Sequence, residues 1–190
     1  LLPNTDPNTR LALALPNSEF VSTSLTLPAG IGEQNLRSAV SLQRPTLLPG
    51  LNDPLLLTVK PSVDTDSPTI ALWLPATRAE ELFQAFAKEK LFLTALLPRA
   101  LLAVPSDAQA VQVWDDDAQT ITYFEWSDNR LKRWLHFAKA DEDTPEFKTQ
   151  LDDVARETKP EWQRVRKADS QDWHNVPMPP SSIYAYTFVP

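Results

Sequence analysis

The sequence predicts a mixed α/β or α+β protein, on three observations. Short apolar segments of strand length recur throughout its 190 residues. Two further segments carry apolar residues at helical spacing behind recognisable helix starts. Between residues 110 and 137, three strand-like segments follow one another across short polar connections. No internal repeat is visible.

The elements follow in order. Residues 1–9, rich in proline and asparagine, read as an irregular lead-in. LALAL (11–15), a Pro-Asn-Ser turn, and FVSTSLTL with Val21, Thr23, Leu25 and Leu27 on one face predict a hairpin-like pair of strands. A short helix is expected at 33–42, with Leu36, Ala39 and Val40 on one side and Pro45 to stop it. Strands at 55–60 (LLLTVK) and 69–74 (TIALWL) follow. Thr77 and Glu80 have the spacing of a capping box, and Ala79, Leu82, Phe83 and Phe86 recur at helical spacing, which predicts a helix over 77–88 with one buried stripe. LFLTALL returns as a strand. The three closely spaced strands are expected at 110–114, 120–126 and 131–137, joined by DDDAQ and SDN. Thr144 before Pro145 starts a helix whose apolar face is Phe147, Leu151, Val154 and Ala155, and Pro160 lies beyond its end. Residues 159–182 mix Trp162 and Trp173 with charges and prolines, and SIYAYTFV closes the chain as a strand.

Composition narrows the function classes. Apolar residues make up 42% and charged residues 23%, an ordinary globular composition despite 18 prolines, and the length fits one domain or two small ones. Acidic residues outnumber basic ones 25 to 18, and the basic ones are scattered except at Arg164, Arg166 and Lys167, which argues against a nucleic-acid surface. Without cysteine there is no disulfide, zinc-thiolate site or thiol nucleophile. The only methionine is Met178 and the first residue is Leu1, so the sequence reads as a fragment or a processed product. Its apolar run LFLTALLP falls far short of the roughly 20 residues of a spanning helix.

The candidate chemistry centres on Asp115, Asp116 and Asp117. In extended backbone Asp115 and Asp117 project from one face and could converge on one cation while Asp116 points away, the geometry a metal-dependent transferase or hydrolase would use. The competing reading is a hairpin turn, which aspartate favours by bonding its own backbone. The alternating flanks, and the lack of another acid cluster placed to complete a site, favour the turn. His136 lies between Leu135 and Phe137 and reads as structural, and His174 has no partner at ligand spacing. No G-x-S-x-G is present. Only Gly30, Gly32 and Gly50 occur, and neither phosphate-cradling glycine motif exists, so a nucleotide enzyme is not expected. Trp73, Trp114, Trp126 and Trp134 fall inside strands and read as core, while Trp162 and Trp173 could anchor a loop or a partner.

The stretches LALALPNSEFVSTSLTLP and TIALWLPATRAEELFQAFAKEKLFLTALLPRALLAVP, with the hairpin after them, resemble the cytoplasmic domain of the bacterial type II secretion system L protein and the type IV pilus assembly M protein. The likeness spans residues 11–137. It implies a degenerate actin-like, RNase H-like fold. Residues 1–104 would hold a small inserted subdomain plus a strand-helix-strand of the first lobe. Residues 105–190 would form a partial second RNase H-like lobe of a three-stranded meander, a helix and a final strand. An actin-like ATPase carries an acid and glycines in the corresponding hairpin loop; WDDDAQT keeps the acids without glycines, and three unshielded carboxylates would repel a phosphate. The resemblance therefore implies a non-enzymatic scaffold with no cofactor and no bound metal, at the cytoplasmic face of a bacterial inner membrane. Its partners would be a secretion or pilus assembly ATPase and other platform subunits, with membrane association only through segments absent from this sequence. The rival readings are a metal-dependent enzyme using Asp115 and Asp117, and an exported ligand-binding module.

Overall fold

A computed structural model describes residues 10–27, 31, 33–60, 68–105, 107–141, 143–157, 159, 161–168 and 186–187. The lead-in, Trp173, His174 and most of the final predicted strand lie outside them. Among the described residues, ten strands form three sheets. In the first, β1 (Arg10–Leu15) runs parallel to β5 (Phe92–Pro98), and β10 (Tyr186–Thr187) pairs with the other edge of β5. The second is antiparallel, with β4 (Thr69–Pro75) between β2 (Val21–Leu25) and β3 (Leu55–Val59). In the third, β6 (Ala110–Asp116), β7 (Thr120–Ser127) and β8 (Arg130–Ala138) meander antiparallel, and β9 (Gln163–Ala168) returns parallel to β6.

The helices form where the periodicity places them. α1 (Glu33–Leu42) buries Leu36 and Val40 against Val59, Ala71 and Trp73 of the second sheet. Pro45 does more than stop it, because it sits in the first turn of a second short helix, α2 (Arg44–Leu47), where its missing amide is not needed. α3 (Ala76–Lys88) leans Ala79, Leu82, Phe83 and Phe86 on the central core. It closes with Leu91 N–H donating to the Phe86 carbonyl and Lys90 in the left-handed region at φ 58°. α4 (Pro145–Arg156) begins as its sequence dictates: the Thr144 hydroxyl accepts from Phe147 N–H, and Phe147 and Val154 are buried with Tyr123 and Phe137.

Four expectations change. β1 and β2 are not a hairpin: a 3-10 turn at Asn17–Glu19 separates them, Leu15 enters the central core, and Leu25 enters the core of the second sheet. The capping box at Thr77 and Glu80 does not form, because the helix starts directly from Pro75 and leaves Thr77 inside its first turn. β9 is a strand that alternation does not announce, since QRVRKA holds one large apolar side chain, Val165, packed toward the core. The last strand joins the first sheet rather than the meander.

The third sheet is covered on both faces. Val111, Val113, Phe124, Trp126 and Trp134 pack with Ile70, Leu72, Leu101 and Val104 of the preceding half of the chain. Trp114, Tyr123, Leu135 and Phe137 face α4. Trp73, Trp126 and Trp134 are buried, as strand tryptophans should be, and Trp114 is half-buried. Among the described residues no helix is long and apolar enough to cross a membrane.

Candidate functional site

The polar end of the junction between the two halves carries the densest chemistry. By strand alternation Asp115 continues the inward row of Val111 and Val113, and its carboxylate is buried at 1% exposure. A buried carboxylate needs charge and hydrogen-bond partners. The Arg99 guanidinium, in the turn Arg99–Ala103 after β5, supplies both: Nε donates to Asp115 Oδ2 at 3.0 Å and Nη2 to Asp115 Oδ1 at 3.2 Å. Nη2 also donates to Asp117 Oδ2 at 3.1 Å. Asn17 closes the cluster from the turn before β2, donating from Nδ2 to Asp115 Oδ2 at 2.6 Å and accepting the Ala100 N–H on Oδ1 at 3.1 Å.

Asp117 ties down its own turn. Its Oδ1 accepts the amides of Gln119 and Thr120 at 2.9 and 2.6 Å, and Oδ2 accepts the Thr120 hydroxyl at 3.0 Å. Burial alone would raise its pKa, but these amides, the hydroxyl and Arg99 outweigh burial and hold the carboxyl below the ordinary aspartate range. Asp116 points to the other side and pairs with Lys139 at 2.6 Å. Across the sheet, Thr122 lies opposite both Asp115 and His136, and its hydroxyl is hydrogen-bonded to His136 Nδ1 at 2.9 Å. Burial lowers the His136 pKa, partly offset by the attraction of Asp117.

The rival reading places Asp115 and Asp117 on one metal cation with Asp116 turned away; the geometry brings the two carboxylates together on the Arg99 guanidinium instead. Their lone pairs are engaged by that guanidinium, an amide side chain, a hydroxyl and two backbone N–H groups. The expectation of unshielded carboxylates is corrected, since each of the three faces a basic side chain. Among the described residues no three His, Asp or Glu side chains converge as a metal site would require. Arg99 and Asn17 lie 16 and 98 residues from Asp115, and no local sequence motif marks either as its partner.

A second polar cluster lies on the α4 face. Gln112 Nε2 donates to the Tyr123 hydroxyl at 2.8 Å, the hydroxyl donates to Glu125 Oε1 at 2.7 Å, and Lys159 pairs with Glu125 Oε2 at 3.1 Å. Burial, then the adjacent Glu125, pushes the Tyr123 pKa well up, so the phenol stays protonated as a donor. Lys159 also lies 4.1 Å from the Trp162 ring centre, giving that tryptophan a loop-anchoring use. A groove of about 510 Å³ between α3 and the start of β5, lined by Leu56, Ala79, Phe83, Leu91 and Phe92, is separate from both clusters.

No family model matches the chain, and no curated protein is significantly similar to it. Among solved structures it is similar to the cytoplasmic domain of EpsL, an inner membrane component of the type II secretion system of Vibrio cholerae. The TM-score is 0.53 at 9% identity, over 88% of this chain and 68% of that one. It is also similar to a chain of the PilM-PilN type IV pilus biogenesis complex, with TM-score 0.50 and 14% identity, over 77% of this chain and 46% of that one. A protein of actin-like ATPase fold and unknown function from Bacteroides thetaiotaomicron aligns at TM-score 0.43 and 9% identity, over 84% and 59%. The fold is the mixed α+β arrangement that the order of segments predicts, and it is similar to the cytoplasmic domain of EpsL and to a chain of the PilM-PilN complex.

Proposed function

We propose that this chain is a non-enzymatic scaffold of a bacterial type II secretion or type IV pilus assembly platform, working at the cytoplasmic face of the inner membrane. Its partners in this reading are the secretion or pilus assembly ATPase and other platform subunits. The observation that carries the reading is the shared fold with EpsL and with a chain of the PilM-PilN complex, both components of such machines. The hairpin supports the non-enzymatic half of it. In an actin-like ATPase that loop faces a phosphate, whereas here its acids are engaged by Arg99 and by the turn's own amides. A metal-dependent enzyme built on Asp115 and Asp117 would first have to displace that guanidinium.

Two measurements test the proposal. A pull-down at low salt with the secretion ATPase encoded nearby should recover a complex that weakens as salt is added, because the chain carries a net charge of -7. No complex at low salt would remove the scaffold reading. Calorimetric titration with magnesium and ATP should give no binding heat, and millimolar magnesium, manganese or calcium should leave the melting temperature unchanged. Micromolar ATP binding, or a metal-dependent rise lost in Asp115→Asn and Asp117→Asn, would favour an enzyme.

A further inference from the structure

We propose that Asn17, Arg99, Asp115 and Asp117 form a latch that holds the two halves of the chain at one fixed angle. The halves are β1 to β5 with their helices, and the β6 to β9 sheet with α4. Most of their junction is apolar: Val111, Val113, Phe124 and Trp126 meet Ile70, Leu72 and Leu101. Apolar burial is non-directional, so such a surface resists separation more than it resists a small rotation. Hydrogen bonds weaken steeply with angle, and the polar end of the junction is built from them.

Three separate pieces of backbone meet there. Asn17 comes from the connection between the first two sheets, Arg99 and Ala100 from the turn after β5, and Asp115 and Asp117 from the end of β6 and the first position after it. Asn17 bridges with both ends of one amide, to Asp115 and to the Ala100 N–H. Arg99 uses a planar fork on Asp115 and extends the same nitrogen to Asp117. Rotating one half against the other would misalign together the bonds that Asn17 and Arg99 donate to Asp115 and Asp117, and weaken the pairing of a carboxylate at 1% exposure. The latch depends on this geometry alone and stands or falls independently of the scaffold function.

The chain has no cysteine, so labels can be placed without background. Cysteines introduced at exposed Glu80 on α3 and Lys148 on α4 would carry spin labels for a pulsed distance measurement. The otherwise unaltered chain should give one narrow distance. Arg99→Ala should broaden it, and low millimolar guanidinium, which returns the planar cation to the vacated seat, should narrow it again where equal sodium chloride does not. Asn17→Ala keeps the ion pairs and removes only the amide bridge, so it should broaden the distribution less. It also serves as the decisive variant should Arg99→Ala fail to fold. A narrow, unchanged distance in folded Arg99→Ala, or in Asn17→Ala where that is the only folded variant, overturns the latch.

Discussion

The two hairpin turns of the third sheet are built by different means. The β7–β8 turn is written in its own residues: Asp128 and Asn129 take φ of 51° and 59°, and Asp128 pairs with Lys132 at 2.8 Å. Two residues in the left-handed region give the turn a backbone twist that matches the flanking strands, and Asp and Asn tolerate it best after glycine. The β6–β7 turn has no residue in that region; Asp117 caps its amides, and Arg99 and Asn17, far away in sequence, hold its base. One turn is a local decision of the chain, and the other exists in its observed form only once the two halves have met.

The largest test of that contrast is Arg99→Leu, which strands the buried Asp115 carboxylate and should cost about 3–5 kcal/mol in urea denaturation. A loss below about 1 kcal/mol, ordinary for a surface change, would make the first turn as local as the second. Asn129→Ala should cost about 1 kcal/mol, because alanine pays the left-handed penalty that asparagine partly escapes, while Asn129→Gly should lose nothing. An equal loss in both would show that the Asn129 side chain, not its φ, matters.

Acidification should weaken the Arg99 end in two steps, while at the other turn it acts on the exposed Asp128, whose pKa the hydrogen bond and charge of Lys132 lower. The folded state keeps His136 neutral below its usual 6.5, while the unfolded chain takes up the proton, so stability should fall as pH drops from about 6.5 toward the lowered folded value. Asp117 is opposite in charge but alike in consequence: its depressed pKa stabilises the fold above 3.8, and that contribution disappears as pH falls through the folded value. His136→Asn should abolish the first step and keep the second; a stability curve flat from pH 7 to 5 in the unaltered chain would contradict the burial assigned to His136. The smallest effect belongs to Asp116→Asn, which breaks the solvent-accessible pairs with Lys139 and Arg166 and should stay within about 0.5 kcal/mol.

This contrast also explains what could be read in advance. Elements with a local signal were legible: α1, α3 and α4 from their 3.6-residue stripes, the start of α4 from Thr144 and Pro145, and the meander from alternation between Asp-rich connections. The shared face of Asp115 and Asp117 was legible too, because strand alternation is a property of the backbone. The identity of their cation was not, since Arg99 and Asn17 reach them only through the fold. The separation of β1 from β2 was hidden for the same reason, as each strand's partner lies more than forty residues away. β9 was missed because QRVRKA contains one large apolar residue, Val165, and its pairing with β6 supplies what composition does not.

The pairing of β10 with β5 sets an order of events during synthesis. Thr187 lies opposite Ala95 and Tyr186 opposite Leu96, so the second edge of β5 waits for residues made some ninety positions later. At the usual pace of translation that interval is on the order of ten seconds, much longer than the microseconds in which a hairpin forms. During it, the Ala95-Leu96-Leu97 edge has β1 on one side and no strand on the other, an apolar template of the kind that invites pairing with another nascent chain. The strand that closes it makes the first sheet the last to be completed, although β1 is the first of the described strands to be made.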